Sequence, residues 1–126
     1  SYSNFGSNHE ASPTKVREAV KILHRDYPDM IVDGEMQLSV AVEKRIRNAM
    51  YPFNKLGDKD CNVLIFPNLS SANISMHSLQ HIAGCQTLGP ILVGNRKSMQ
   101  VMQMYCSVRD VVNMIALAVV DAQNLE

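Results

Sequence analysis

The stretch Asn62-Val63-Leu64-Ile65-Phe66-Pro67-Asn68-Leu69-Ser70-Ser71-Ala72-Asn73-Ile74 decides how this chain is read. Four consecutive apolar residues, Val63 to Phe66, end at a proline, which has no N–H to give to a sheet ladder. The run does not alternate, so it predicts a strand covered on both faces, as in a parallel sheet between helices. A polar turn with Asn68, Ser70, Ser71 and Asn73 follows, and a helical pattern begins near Leu69. In open α/β sheets ligands bind beyond the carboxyl ends of the strands. The turn is therefore read as the structural centre and as one rim of a ligand site.

Upstream of this stretch, Ser1 to Asn8 is small and polar around Phe5. Gly6 and Ser7 can form a nest of backbone N–H groups that favours an anion such as phosphate. An ordinary strand-to-helix turn or a frayed terminus is the plainer alternative. A helix is expected from Pro13, capped by Ser12, with Val16, Ala19, Val20 and Leu23 on one face. Lys15, Arg17, Glu18, Lys21 and Arg25 line its wet side, and it stops before Pro28. Met30-Ile31-Val32 reads as a short buried strand ended by Asp33-Gly34-Glu35. Those two carboxylates suit acid–base or metal chemistry, or equally a turn with one hydrogen-bonded carboxylate. No third acidic ligand lies near them, which disfavours a metal. A second helix is expected from about Ser39 to Met50, with Val40, Val42, Ile46 and Met50 inward and Glu43, Lys44, Arg45 and Arg47 outward. Tyr51 to Asp60 is a loop.

Downstream, Leu69 to Cys85 reads as a long helix ended by Gly84. His77 and His81 share one of its faces, without the glutamate of an H-E-x-x-H metal pair, and read as solvent or interface histidines. Gly89-Pro90-Ile91-Leu92-Val93-Gly94 is a strand bracketed by glycines, and Gln100 to Met104 a last strand. The final helix runs from about Ser107 to Gln123, with Asp110 in its first turn, where the helix dipole favours a carboxylate. Ile115 to Val120 is apolar nearly all round, so this helix expects cover on several sides. The alternation of strand and helix predicts a layered α/β/α domain with a mostly parallel sheet.

Composition sets outer bounds. A chain of 126 residues is one domain's worth. Twelve basic residues balance twelve acidic ones, and no basic stripe interleaves with aromatics, which argues against nucleic-acid and lipid surfaces. Val111 to Val120 is interrupted by Asn113 and too short to span a bilayer. No signal-peptide pattern opens the chain. Cys61, Cys85 and Cys106 lack CxxC spacing and read as reduced, structural cysteines in a cytoplasmic protein. The opening Ser1-Tyr2-Ser3 looks like a strand end, so the expectation is a piece of a longer chain.

Several stretches together resemble the phosphate acetyltransferase family: Ser1-Tyr2-Ser3-Asn4-Phe5-Gly6-Ser7, Val32-Asp33-Gly34-Glu35-Met36-Gln37, Asn62 to Ile74, and Gly89 to Gly94, in that order and spacing. The resemblance covers nearly all of residues 1–126. It implies the C-terminal part of that family's fold, which is similar to isocitrate and isopropylmalate dehydrogenases. Working members of the family carry a Ser-Arg-Gly-Cys-Ser pattern followed by an aspartate near the last helix. Here the run is Gln103-Met104-Tyr105-Cys106-Ser107-Val108-Arg109-Asp110. Asp110, Cys106 and Ser107 match, whereas Gln103 and Met104 replace the serine and arginine. An arginine steadies a phosphate and the developing negative charge; methionine has no donor.

Ser-Asn-Phe-Gly-Ser in place of a Ser-Thr-Lys-Gly-Ser loop, together with the final helix, is similar to the acetyltransferase-like C-terminal domain of large bacterial malic enzymes. That resemblance implies a non-catalytic domain for regulation and homo-oligomer assembly, with acetyl-CoA as effector and no cofactor of its own. It also implies an N-terminal part, outside these residues, that oxidatively decarboxylates malate to pyruvate with NADP and a divalent metal. The expected acyl-CoA and phosphate contacts are Ser3, Asn4, Gly6, Ser7, Asn68, Asn73 and Arg96, with Asp110 kept at the catalytic position but without its partners. The alternatives are the C-terminal half of an active phosphate acetyltransferase, making acetyl phosphate and CoA from acetyl-CoA and phosphate, and a bare interaction module with no small ligand.

Overall fold

The computed structural model describes residues 1–124. Among them the chain forms five helices: α1 (Ala11–Asp26), α2 (Leu38–Val42), α3 (Lys44–Met50), α4 (Leu69–His81) and α5 (Val108–Asn124). No strand forms among the described residues, which corrects the expected layered α/β/α fold with a parallel sheet. A strand exists only when a second extended segment takes up its backbone groups. Outside the helices, the backbone bonds of the described residues mostly close turns; Phe5 N–H to the Glu35 carbonyl, 2.8 Å, and the Ser1 amino group to the Met36 carbonyl, 3.2 Å, join distant segments without making a ladder. The runs read as strands lie irregular and open: Ile65 is 82% exposed and Val93 82%, and Met30 and Ile31 are exposed as well. A continuous apolar run reports a tendency to be buried, not whose backbone will pair with it.

The chain divides into two compact units, Ser1–Ser75 and the residues from Met76 onward. The first holds a small core of Met36, Val40, Ala41 and Leu56, against which Phe5, Ile46 and Tyr51 pack. Phe5 also sits 5.0 Å from Tyr51 and 5.1 Å from Phe53, ring centre to ring centre, in tilted and edge-on geometries that suit aromatic quadrupoles. In the second unit Met114 of α5 is buried, whereas Val112, Ile115, Val119 and Val120 of the same helix are exposed.

Helix α1 starts two residues before Pro13, with Glu10 as a cap that makes no side-chain bond. Val20 is buried and Val16 and Leu23 are half-buried, but Ala19, expected on the same face, is exposed. The helix expected over Ser39–Met50 is broken in two at Glu43, whose backbone leaves the helical region at φ −96° and ψ 94°. The break turns Arg47 inward. Expected on the wet side, it is 0% exposed and donates from Nη1 to the Ala41 carbonyl at 2.7 Å. Its Nη2 reaches the carbonyls of Gly57 at 3.0 Å and Lys59 at 2.7 Å. One guanidinium fork thereby pins the loop after α3 to the end of α2, a geometry that suits arginine's rigid planar donors. Among the described residues no helix is long and apolar enough to cross a membrane.

Candidate functional site

The Ser3–Ser7 loop is built around a carboxylate. Glu35 is 1% exposed and Ser3 0%. Glu35 Oε1 accepts the Ser3 hydroxyl at 2.7 Å, the Gly6 N–H at 2.9 Å and Arg17 Nη1 at 3.3 Å. Gly6 takes φ +92°, where a Cβ is strained, and that Cβ would lie 3.3 Å from the Arg17 guanidinium. Around this centre the loop is closed by local bonds: Ser7 N–H to the Asn4 carbonyl at 3.0 Å, Asn4 N–H to Ser7 Oγ at 3.0 Å, and Ser3 Oγ to Ser7 Oγ at 3.1 Å. Asn4 Oδ1 accepts the Gln37 N–H at 2.7 Å. The companion carboxylate, Asp33, accepts the Gly34 N–H at 2.9 Å and the Lys55 N–H at 2.6 Å. Both acids of Asp33-Gly34-Glu35 are thus hydrogen-bond acceptors that tie loops together.

The nest expected to meet a phosphate is therefore occupied by the protein's own Glu35. Arg17, read as a wet-side residue, is part of the same arrangement, and its inward turn has a physical cause. A buried carboxylate is costly unless charge or donors offset it. A cation between Pro13 and Val20, the two buried residues of α1, was the one hint of this in the sequence.

The rim expected after Val63–Phe66 has a different role. Asn68 stands just before α4; its Oδ1 accepts the Ser71 N–H at 2.9 Å and its carbonyl accepts the Ser71 hydroxyl at 3.0 Å. This is an N-cap arrangement, which satisfies donors the helix leaves unpaired. Asn73 lies exposed within α4. Lys15 Nζ reaches the Pro67 carbonyl at 2.7 Å, so α1 and this turn are held together in the first unit.

In the second unit, Ser107 and Asp110 form a capping box at the start of α5. The Asp110 carboxylate accepts the Ser107 hydroxyl and backbone N–H, both at 2.8 Å, and the Asp110 N–H donates to Ser107 Oγ at 3.2 Å. The Ser107 hydroxyl and then its N–H hold the Asp110 carboxyl below the usual aspartate range, with Arg109 adding in the same direction. A cleft of about 250 Å³ is lined by Gln103, Cys106, Ser107 and Asp110 and by the stacked pair His77 and His81 of α4. The two imidazoles lie 5.6 Å apart at 14°. Met104 is fully exposed and does not line that cleft, nor does Arg96, which lies exposed in its loop. Among the described residues no three of His, Cys, Asp and Glu gather as a metal site.

Residues 1–119 match the family described as phosphate acetyl/butaryl transferase, and the chain belongs to that family. Within it, the chain is 40% identical over 125 residues to the NADP-dependent malic enzyme of Salmonella typhimurium, covering 98% of this chain and 16% of that protein. It is 35% identical over 123 residues to the phosphate acetyltransferase of Clostridium acetobutylicum, covering 98% of this chain and 37% of that enzyme. Its structure matches the EutD phosphotransacetylase from Staphylococcus aureus with a TM-score of 0.84 and 31% identity, over 100% of this chain and 38% of that one. The chain thus spans well under half the length of each of these relatives.

Proposed function

We propose that this chain is the acetyltransferase-like domain of a cytoplasmic malic enzyme, where it regulates and assembles the enzyme rather than transferring acetyl groups. One observation carries the reading: the chain has Gln103 and Met104 where the resemblance to the family implies the serine and arginine of its working members. Met104 offers no donor to an oxyanion, and losing one electrostatic partner typically costs about a hundredfold or more in rate. The retained Asp110 is tied by Ser107 into a helix cap. Identity of 40% to a malic enzyme against 35% to a phosphate acetyltransferase, over the same share of the chain, supports the same branch.

On this reading acetyl-CoA is the effector; because Glu35 holds the Ser3 hydroxyl and the Gly6 N–H, its contacts in the first unit are drawn from Asn4, Ser7, Asn68 and Asn73. Malate decarboxylation, NADP and the divalent metal belong to residues outside this chain. The exposed apolar residues of α5 supply a homo-oligomer contact. Steady-state malate decarboxylation by the full-length protein, with and without acetyl-CoA, tests the proposal. An effect of acetyl-CoA that disappears when residues 1–126 are deleted supports it. An undiminished effect in the deleted protein sinks it. The second reading, an active phosphate acetyltransferase, is favoured by the retained Cys106, Ser107 and Asp110 and by the similarity to a phosphate acetyltransferase.

A further inference from the structure

Three donors of the first unit converge on one point: the Ser3 hydroxyl, the Gly6 N–H and the Arg17 guanidinium. Backbone N–H, hydroxyl and guanidinium together make a cradle for an oxyanion. The point is held by one oxygen of Glu35, a residue brought from 29 positions further along the chain than Gly6. The carboxylate is bound asymmetrically. Oε1 takes all three donors, and the buried Oε2 has no partner among the described residues. An acid placed only to join two segments is expected to spread its bonds over both oxygens, as Asp33 does with Gly34 on one and Lys55 on the other. Glu35 instead meets the loop as a single oxyanion at a single point.

We propose that Glu35 is a built-in ligand of the Ser3–Ser7 loop, filling the place of an external oxyanion and closing the loop against one. The Gly6 N–H and Ser3 hydroxyl are then unavailable to phosphate, and the loop meets other molecules through its outer side, where Ser7 is exposed. Removing the carboxylate leaves three donors, one of them the Arg17 cation, around an acid-shaped gap. A small oxyanion from solution, formate or inorganic phosphate, should re-enter it. This goes beyond the effector reading and does not involve acetyl-CoA.

The test is hydrogen–deuterium exchange, read on peptides covering Ser3–Ser7 in the full-length protein and its Glu35→Ala variant. In the variant the loop should exchange about tenfold faster. Formate or inorganic phosphate at tens of millimolar should slow it again, whereas chloride of equal ionic strength should not. In the unaltered protein neither anion should change the rate. Two results overturn the proposal: saturable protection of the loop by phosphate in the unaltered protein, or equal effects of formate, phosphate and chloride in the variant. Should Glu35→Ala fail to fold, the unaltered protein still decides through its own arm, and Glu35→Gln adds another. That variant keeps the side chain's bulk, so its loop should exchange faster without anion rescue. Rescue there would show that anions act elsewhere.

Discussion

Ser3 Oγ and Glu35 Oε1 lie 2.7 Å apart across 32 positions of chain, both residues shielded from solvent. That contact joins the opening loop to the Asp33-Gly34-Glu35 turn, and Arg17 of α1 closes the set at 3.3 Å. Three segments therefore share one carboxylate, and weakening any donor should be felt in all three.

Ser3→Ala removes the shortest of the three bonds and leaves Glu35 buried with two. Depriving a buried acceptor of a partner costs about 1–3 kcal/mol. Denaturant unfolding of the first unit's signal should shift by that amount, with Ser7→Ala, at an exposed position, shifting it less. Equal shifts for the two variants would show that the buried bond carries no special weight.

Gly6→Ala should destabilise through two routes. The position sits at φ +92°, and the added methyl meets the Arg17 guanidinium at 3.3 Å. A backbone held in that region costs of order 1–3 kcal/mol in a non-glycine residue. The measurement is thermal unfolding. A variant as stable as the parent would mean the loop relaxes freely.

Arg47→Lys tests the buried fork. Lysine's single ammonium cannot span the carbonyls of Ala41, Gly57 and Lys59 together, so at least one charge-assisted bond is lost, about 2 kcal/mol. Amide exchange over residues 54–60 should quicken while α1 stays protected. Unchanged exchange in that loop would remove the pinning role.

The Ser107–Asp110 cap carries a pH signature. Hydrogen bonds from Ser107 depress the Asp110 pKa in the folded protein. Its stabilising effect is therefore present above the ordinary aspartate value, about 4, and is lost as pH falls through the lower folded-state value. Asp110→Asn should be less stable than the parent at pH 7, and the gap should close in acid. Circular dichroism melts at several pH values check it; a gap independent of pH would count against the ionised cap.

Acetyl transfer from acetyl phosphate to CoA should fall far below about one turnover per second, an ordinary enzymatic rate. Turnover at or above that rate by the full-length protein would move the chain to the acetyltransferase reading. For assembly, Ile115→Glu on the exposed side of α5 should lower the mass seen by light scattering, and an unchanged mass would place the contact elsewhere.

Residue patterns close together in the chain were legible by themselves. The helical stretches of α1 and α5, the place of Asp110 in the first turn of α5 and the ordered family motifs all act over a few residues, whereas the helix expected over Leu69 to Cys85 ends at His81. The family could be read from its motifs because those are strings. What tertiary structure alone decided were relations between distant strings. Val63 to Phe66 announced a strand, but a strand needs another backbone, and none of the described residues supplies one. Arg17 and Arg47 looked like solvated charges, because burial of a cation depends on which carboxylate or carbonyls fold over it. Gly6 looked like a cradle open to phosphate. Only the folded chain, by carrying Glu35 to within 2.9 Å of its N–H, decided what fills it.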